Sequence, residues 1–307
     1  MGRRSIFVLL CVLCARLSAT FQLSAAMLHP CKVALVTGAN KGIGKEVARK
    51  LHAAGFTTVL GCRDVTLGAA AANEIIGSTP SEVGSVVVAC PLDLTDAASI
   101  KSCAAFVEST FGRLDVLVNN AAVCFNDPTL YGRVPHTPFE KQARVTVETN
   151  FFGTLGLTRA ALPLLKKAES GRIVNVASNA GRLAILKSEA LRAAFSNPAV
   201  QISELEEFEL AFIADVEAGT HARKGWPNTC YGVSKVGVIA LTKALARDEP
   251  GLMVNAVDPG YCATDQNANQ GYISAEEGAR TPALLAMLPN DKPVSGKYFY
   301  EGREIAW

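Results

Sequence analysis

Short apolar runs alternate with longer amphipathic segments from residue 32 to the end of the chain. The runs have the length and composition of buried strands, whereas the segments between them repeat apolar residues every three or four positions, as helices do. In one such segment Val47, Ala48, Leu51 and Ala54 share a single helix face. The pattern predicts seven strands, at Lys32–Thr37, Thr57–Gly61, Ser85–Ala89, Val116–Asn119, Arg172–Ala177, Leu252–Val257 and Lys297–Tyr300.

The longer segments are predicted to be helices, with the clearest at Gly42–Ala54, Leu67–Ile76, Asp96–Thr110, Gln142–Lys167 and Cys230–Arg247. Apolar strands separated by helices form a parallel sheet that is covered on both faces. The predicted fold class is therefore α/β, a doubly wound Rossmann fold with a mostly parallel seven-stranded sheet. Such folds bind ligands at the carboxyl ends of their strands. No internal repeat or linker interrupts the pattern, so residues 27–307 are expected to form one domain.

A glycine-rich turn follows the first strand and opens the first helix. Glycine allows a tight turn and a close approach of the backbone to a pyrophosphate, and the free N–H groups of a helix N-terminus attract phosphate. The sequence therefore predicts a dinucleotide site. Its residues are Thr37, Gly38, Asn40, Lys41, Gly42, Ile43 and Gly44.

The spacing of this turn, Thr-Gly-x-x-x-Gly-x-Gly, resembles the signature of the short-chain dehydrogenase/reductase family. The resemblance extends from about residue 32 to the end of the chain. The run Asn119-Asn120-Ala121-Ala122 is similar to the Asn-Asn-Ala-Gly turn of the family, with Ala122 in place of the last glycine. The resemblance implies contacts with the adenine at Asp93 and with the nicotinamide at Pro259, Gly260 and Thr264. The other expected cofactor contacts are Leu94, Asn119, Ala121, Tyr231 and Lys235.

The end of the second strand indicates which dinucleotide is used. An acidic residue there would bind the ribose 2′-hydroxyl of NAD, whereas a basic residue accommodates the 2′-phosphate of NADP. The strand ends in Arg63, and Lys41 supplies a second cation from the glycine turn. A guanidinium binds phosphate through directed, paired hydrogen bonds. Asp64 is a contrary signal one residue further on, and we expect NADP (NADPH) as the cofactor.

Tyr231 and Lys235 are four residues apart at the start of a predicted helix, so they share one helix face. An ammonium beside a phenol is expected to lower the pKa of the phenol and to prepare it for proton transfer. Tyr231 would then protonate a carbonyl oxygen, and Ser178, after the fifth strand, would hold and polarise that oxygen. The resemblance implies that Asn150 anchors a water molecule in a proton relay from Lys235.

The interval between Ser178 and Tyr231 is long enough for an inserted helix, within about residues 182–226. Ser203 and Glu206 have capping-box spacing. The helix is predicted to end at Gly219, after an apolar stripe made of Leu205, Phe208, Phe212 and Val216. Together with Gly225-Trp226-Pro227 and Ala306-Trp307, this insertion resembles the carbonyl reductase subgroup. That resemblance implies NADPH-dependent reduction of ketones, aldehydes and quinones by a monomer.

Two positions differ from that subgroup. Tyr261 follows Pro259-Gly260 where the subgroup often has tryptophan, and Leu67 stands where it often has a second arginine for the 2′-phosphate. Gln142 matches a pocket-lining position of the subgroup. The expected substrate contacts are therefore Ser178, Gln142, Tyr231 and Tyr261.

Residues 1–26 form a segment of different character. Arg3 and Arg4 precede an apolar run from Ile6 to Ala15, and small residues follow at possible cleavage sites. This is the layout of a signal or targeting segment, for the secretory pathway or a plastid, and the run is too short for a membrane span. The alternative is that translation starts at Met27, just before the first strand, which predicts a cytoplasmic protein.

Composition excludes other functional classes. A net charge of +2 is too small for the electrostatic footprint of a nucleic-acid-binding protein. Of the nine cysteines only Cys11 and Cys14 have metal-ligand spacing, and this pair lies inside the apolar run, so no metal site is expected. The leading hypothesis is an NADPH-dependent carbonyl reductase. The alternatives are a dedicated biosynthetic ketone reductase and a non-catalytic, NADP-binding regulatory protein.

Overall fold

One sheet runs through the computed structural model, which describes residues 31–81, 84–125, 137–291 and 293–307. Its order is β3-β2-β1-β4-β5-β6-β7-β8, and every neighbouring pair is parallel except β7 and β8. The strands are β1 Val33–Thr37, β2 Thr57–Cys62, β3 Val87–Pro91, β4 Val116–Asn119, β5 Arg172–Val176, β6 Met253–Asp258, β7 Tyr298–Tyr300 and β8 Arg303–Glu304. The doubly wound, mostly parallel fold is confirmed.

The predicted number of strands is wrong by one, since the described residues contain eight. The eighth strand, β8, is two exposed polar residues that return antiparallel to β7 after a turn at Gly302. A pair of polar residues carries no hydrophobic alternation. Only the main-chain pairing with β7 makes it a strand.

The helices that cover the sheet are α1 Gly42–Ala53, α2 Val65–Ser78, α3 Ala97–Phe111, α4 Phe139–Val147, α5 Thr154–Leu165, α6 Glu189–Ser196, α7 Ile202–Glu217, α8 Cys230–Asp248, α9 Ala275–Gly278 and α10 Arg280–Ala286. Residues 32–307 belong to one compact unit. Residues 1–26, with the predicted targeting segment, lie outside the described part of the chain. No helix in the described ranges has both the length and the apolar character needed to cross a bilayer.

The long helix predicted over Gln142–Lys167 is divided into α4 and α5 by a π-helical stretch, Glu148–Gly153. Gly153 lets this stretch pack closely on Leu94, because a side chain there would lie 2.6 Å from Cβ of Leu94 and 2.7 Å from its carbonyl oxygen. Asn150 lies in this π-helical stretch and is buried. Single π-turns of this kind occur often at functional sites.

Alternate residues of each central strand enter opposite cores, as strand geometry requires. In β4, Leu117 belongs to the core formed with α3, α5, α7 and α8, whereas Val118 belongs to the core formed with α1 and α2. Every residue of β1, β2, β4, β5 and β6 is buried. The buried strands therefore fix the positions of the turns that follow them at the carboxyl edge of the sheet.

The insertion before Tyr231 contains two helices, α6 and α7. The prediction of Ser203 and Glu206 as the cap of α7 is wrong: Gln201 is the N-cap, and its N–H donates to the carboxylate of Glu204 at 2.7 Å. Glu206 binds Arg159 of α5 instead, at 2.9 Å. Gly219 ends the helical segment as predicted, in a left-handed conformation with φ of 65°.

The apolar face of α7 packs on α4 and α8. Leu205, Phe212 and Val216 are buried, and Phe208 is partly buried against Phe195. Trp226 completes this core, with its ring 5.3 Å from that of Phe212 and its N–H donating to Asp215 at 3.0 Å. The aromatic residues of the insertion thus extend the core on one face of the sheet, and α7 covers α8, the helix of Tyr231 and Lys235.

Candidate active site

A cleft of about 410 Å³ opens at the carboxyl ends of β1 to β4. Strand order reverses there, between β1 and β4, which is where doubly wound sheets bind ligands. Ten of the residues predicted to contact the cofactor line this cleft: Gly38, Asn40, Lys41, Gly42, Ile43, Arg63, Asp93, Leu94, Ala121 and Thr264.

Backbone conformation or close packing requires glycine at three positions of the turn. Gly38 and Gly42 adopt left-handed conformations, with φ of 64° and 56°. At Gly44 a Cβ atom would lie 2.5 Å from the side-chain nitrogen of Asn120 and 2.6 Å from the carbonyl oxygen of Gly38. The turn is therefore packed against the β4 loop and begins α1 at the cleft, which fits a pyrophosphate at the helix N-terminus.

Thr37 and Asn119 are placed behind the cleft and do not line it. The Thr37 hydroxyl accepts hydrogen bonds from the N–H groups of Asn120 and Ala121, at 2.9 and 2.8 Å. The amide of Asn119 points into the core and donates to Asn175 at 2.8 Å. The neighbouring Asn120 lines the cleft instead. The contribution of Thr37 and Asn119 to the cleft is thus to fix the turns that form it.

Arg63 is exposed on the wall of the cleft, and the contrary signal from Asp64 has a structural explanation. Asp64 is the N-cap of α2, and one of its carboxylate oxygens accepts from the N–H groups of Thr66 and Leu67 at 2.9 and 3.1 Å. An N-cap carboxylate is held by its own helix. Arg63 is therefore the residue that presents its charge to a ligand there.

Lys41 lies across the mouth of the cleft from Asp265, and their side chains form an ion pair of 2.9 Å. Both side chains are largely exposed, and surface pairs of this kind contribute about 0–1 kcal/mol. A phosphate could therefore compete for Lys41 at little cost. Deeper in the cleft, hydrogen bonds from Thr95 hold the pKa of Asp93 below its ordinary value, so this carboxylate stays ionised.

Tyr231 and Lys235 lie in the first turns of α8, beside the end of β5. The ammonium nitrogen of Lys235 is 5.5 Å from the centre of the Tyr231 ring and donates to the carbonyl oxygen of Val176 at 2.7 Å. The Ser178 side chain is hydrogen-bonded to that of Tyr231. Two separate segments, α8 and the end of β5, thus converge on one phenol.

The electrostatics of this pair differ from the expectation. Burial raises the pKa of Tyr231, and hydrogen bonds from Gln266 and Ser178 oppose that rise only in part. Burial also lowers the pKa of Lys235 to about 8. Desolvation of both groups therefore outweighs the stabilisation that the ammonium gives to the phenolate. The protein alone keeps Tyr231 as a neutral phenol, which is the proton-donating form.

The Asn150 side chain connects two segments of the site through hydrogen bonds. Its side-chain oxygen accepts from the N–H of Val123 at 2.8 Å, and its nitrogen donates to the Val123 carbonyl at 2.9 Å and to the Ser234 hydroxyl at 3.0 Å. The amide therefore ties the β4 loop, which lines the cleft, to the catalytic helix α8. The water relay that the resemblance implies stays a prediction.

A second cavity, of about 390 Å³, adjoins Ser178 and contains Gly260 and Tyr261 on its wall. Tyr261 is 40% exposed, so its ring is available to a ligand at this mouth. Gln142 lines neither cavity, because its side-chain nitrogen donates to the Thr137 carbonyl at 2.6 Å. Pro259 borders a neighbouring groove. Of the predicted substrate contacts, Ser178, Tyr231 and Tyr261 share one region and Gln142 does not.

A model of the short chain dehydrogenase family matches residues 32–194 of this chain. The chain belongs to the short-chain dehydrogenase family. Carbonyl reductase (NADPH) 1 of Bos taurus is 38% identical over 284 residues, which cover 90% of this chain and 98% of that protein. The (+)-neomenthol dehydrogenase of Capsicum annuum is 36% identical, over 88% of this chain and 95% of that protein.

Solved structures of the family agree with this. Salutaridine reductase from Papaver somniferum superposes with a TM-score of 0.78 and 32% identity, covering 88% of this chain and 99% of that one. Menthone neomenthol reductase from Mentha piperita has a TM-score of 0.76 at 32% identity, with coverages of 88% and 98%. The chain thus resembles NADPH carbonyl reductases and the named reductases and dehydrogenase over 88% to 90% of its length.

Sequence reasoning missed several residues of this short-chain dehydrogenase site. Gln266 hydrogen-bonds to Tyr231, and Asp258 lies at the end of β6 with an oxygen accepting from the N–H of Gly260 at 3.0 Å. Gln266 had no local signal, since it belongs to a short turn that folds across from another part of the chain. Asp258 had one, because polar side chains at the carboxyl ends of parallel strands reach the ligand edge.

No group of three or more His, Cys, Asp or Glu side chains in the described ranges is arranged to hold a metal ion.

Proposed function

We propose that this chain reduces ketones, aldehydes or quinones to alcohols with NADPH. The observation that carries the proposal is the meeting of Tyr231, Lys235 and Ser178 at the end of β5, beside a cleft with dinucleotide geometry. Relatives named as NADPH carbonyl reductases support it at 38% identity. The glycine turn and the charge of Arg63 fit NADP, which is the cofactor of this oxidoreductase.

The proposed mechanism assigns one task to each group. When bound, NADPH supplies a hydride to the carbonyl carbon of the substrate. The Ser178 hydroxyl donates a hydrogen bond to the carbonyl oxygen and fixes its position. Tyr231, kept neutral by burial, donates its proton to that oxygen. Lys235, anchored to the Val176 carbonyl, stabilises the phenolate that remains.

A dedicated biosynthetic ketone reductase is the second candidate. The similarity to a plant neomenthol dehydrogenase, 36% identical, and to salutaridine reductase, at a TM-score of 0.78, supports it. A non-catalytic regulatory protein would have no need of a phenol and an ammonium held together, and this chain retains both. The first two candidates share a mechanism and differ in the range of substrates accepted.

The test is NADPH consumption by the purified chain with quinones, aromatic aldehydes and cyclic ketones as acceptors. A broad carbonyl reductase should accept members of several classes. A dedicated biosynthetic enzyme should accept few or one. Binding of NADPH without turnover of any carbonyl would contradict the proposal and support the regulatory alternative.

Replacing Arg63 with aspartate should shift cofactor preference from NADPH toward NADH by at least about tenfold, or about 1.4 kcal/mol. The change removes the phosphate partner and adds an acceptor for the ribose 2′-hydroxyl. The kcat/KM ratio for the two cofactors, measured with one carbonyl substrate, checks this. An unchanged ratio would assign phosphate selection elsewhere, and Lys41→Ala would be the next variant to measure.

We further propose that the protein is a monomer. The apolar face of α7 packs on α4 and α8 within one chain. That covers helix surface available for subunit contacts without the entropy cost of association. Sedimentation at micromolar concentration should give one species of about 30 kDa, close to the chain mass of 32.4 kDa. A stable dimer or tetramer would contradict this proposal and leave the catalytic one standing.

For residues 1–26 we retain both proposals that the sequence supports, a targeting segment for the secretory pathway or a plastid and a start of translation at Met27. Either one leaves these residues out of the mature protein. The mass of the native N-terminus decides the matter, since a mature chain beginning at Met1 or Gly2 contradicts both.

A further inference from the structure

Arg182 and Ser178 both line the second cavity, and they are four residues apart. The two residues flank a short 3₁₀ turn, Asn179–Gly181, which is closed by a hydrogen bond from the Gly181 N–H to the Ser178 carbonyl at 2.8 Å. With a rise of about 2 Å per residue, the turn separates the two backbones by about 8 Å. That offset is close to the length of one substituted aromatic ring.

The turn is held rigidly against the catalytic helix. A side chain at Gly181 would lie within 2.9 Å of the backbone of Lys235, so only glycine allows this contact. On its other side the Trp307 indole N–H donates to the Gly181 carbonyl at 2.8 Å. Arg182 is therefore fixed at its backbone relative to the group that holds the reacting carbonyl.

The charge of Arg182 is available to a ligand. Its side chain is exposed on the cavity wall, and its charge partly opposes the rise that burial causes in the pKa of the neighbouring Asp258. The one acidic residue on the cavity wall is Asp258, which is only 7% exposed. Its carboxylate accepts from the main-chain N–H groups of Gly260 and Asn179. The acid is thus recessed and hydrogen-bonded to the backbone, whereas Arg182 is exposed to solvent.

The remaining wall is aromatic. Tyr261 and Tyr272 are tilted against each other with ring centres 5.8 Å apart, and Tyr300 completes the lining. Aromatic side chains bind flat apolar rings through offset or edge contacts and offer hydroxyls at their tips. A guanidinium binds a carboxylate with paired, directed hydrogen bonds. The cavity therefore combines a site for a ring with a site for an anion.

We propose that Arg182 is an anion anchor, and that the preferred substrates are aromatic aldehydes or ketones that carry a carboxylate on the far side of the ring. Ser178 and Tyr231 hold the carbonyl oxygen, the tyrosines contact the ring, and Arg182 binds the carboxylate. This rests on the proposed carbonyl reduction and adds the substrate class to it. Arg182 acts in binding and takes no part in proton transfer.

The experiment compares 4-formylbenzoate with its methyl ester, which differ in one negative charge at the far end of the ring. For the unaltered protein with NADPH, kcat/KM should be about tenfold higher for the acid, the effect of one charge-assisted hydrogen bond. Arg182→Met should bring the acid-to-ester ratio close to one, mainly through a higher KM for the acid. Arg182→Lys should recover part of the preference.

Arg223→Met is the matched control, because Arg223 is exposed in a turn outside the cavity and its loss changes net charge equally. It should leave the acid-to-ester ratio as it is. A ratio near one in the unaltered protein, or a ratio that Arg182→Met does not change, overturns the anion anchor while ester turnover leaves the proposed function standing.

A binding measurement tests the anion anchor separately from carbonyl reduction, in case no aldehyde is reduced. Calorimetry with benzoate and methyl benzoate, in the presence of NADP, reports the anion site without turnover. A preference for benzoate that Arg182→Met abolishes supports the anchor even if the proposed reduction fails. Equal binding of the acid and the ester, or no binding of either, overturns the anchor.

Discussion

Replacing Tyr231 with phenylalanine should lower turnover by about 10² to 10⁴-fold, the usual contribution of a positioned proton donor. Binding of NADPH should stay within a few-fold, because the phenol hydroxyl is lost while the ring and Lys235 remain. The ring is the part that packs beside the ammonium, at 5.5 Å, and Lys235 keeps its bond to the Val176 carbonyl at 2.7 Å. The measurement is kcat with a reducible carbonyl, together with cofactor titration.

Tyr298→Phe provides a matched control for that measurement. Tyr298 is 2% exposed on β7, and its hydroxyl has no hydrogen-bond partner in the described part of the chain. Removing this hydroxyl should leave turnover within a few-fold. Near-normal rates in Tyr231→Phe would show that another group protonates the substrate, and an equal loss in both variants would show that the effect is structural.

The sequence predicted those parts of the site whose geometry is local. The glycine turn and the four-residue spacing of Tyr231 and Lys235 depend on one strand end and one helix, so residue order alone specifies them. The same holds for Gly219, whose left-handed conformation ends a helical segment. In each case a short stretch of chain contains both the signal and its structural consequence.

Contacts between distant segments carried no such signal. Lys41 meets Asp265 across 224 residues, and Gln266 reaches Tyr231 from a turn that the hydrophobic pattern does not show. Asn119 and Asn120 are identical neighbours, and only the packing of β4 decides that the first enters the core and the second lines the cleft. In the sequence, Asp64 was a signal for NAD. The structure shows that its carboxylate caps α2 instead.

Glu209 is the clearest conflict between sequence and packing in the insertion. It lies on α7 with no exposed surface, and neither carboxylate oxygen has a hydrogen-bond partner in the described ranges. Its carboxyl contacts α8 at Gly237, where any side chain would occupy the same space, and Phe151 borders the same point. Helical spacing indicates only that position 209 is near the apolar stripe, and it cannot show that a carboxyl is fully enclosed.

Replacing Glu209 with methionine, which is unbranched and of similar length, should increase the free energy of unfolding. A buried polar group without a partner costs about 1–3 kcal/mol even when it is neutral. For a domain of this size, each kcal/mol corresponds to a rise in Tm of about 2–4 °C. The measurement is denaturant unfolding of the two proteins, with Glu207→Met as control because Glu207 is on the exposed face of the same helix.

The effect of Glu209 on the free energy of unfolding should depend on pH. Burial raises the pKa of Glu209 well above its ordinary value in the folded protein, whereas the pKa of a glutamate in the unfolded chain is about 4.3. Between those two values the folded state holds a proton that the unfolded state has released, so rising pH favours unfolding, by up to about 1.4 kcal/mol per pH unit.

The stabilisation by Glu209→Met should therefore be smallest near pH 4 and grow as the pH rises toward neutrality. Glu207→Met should show no such growth, because its carboxyl is exposed. A difference between Glu209→Met and the unaltered protein that stays constant from pH 4 to pH 8 would mean that the carboxyl is ionised in the folded state. In that case α7 would not pack on α8 as described, and the monomer argument would lose its structural basis.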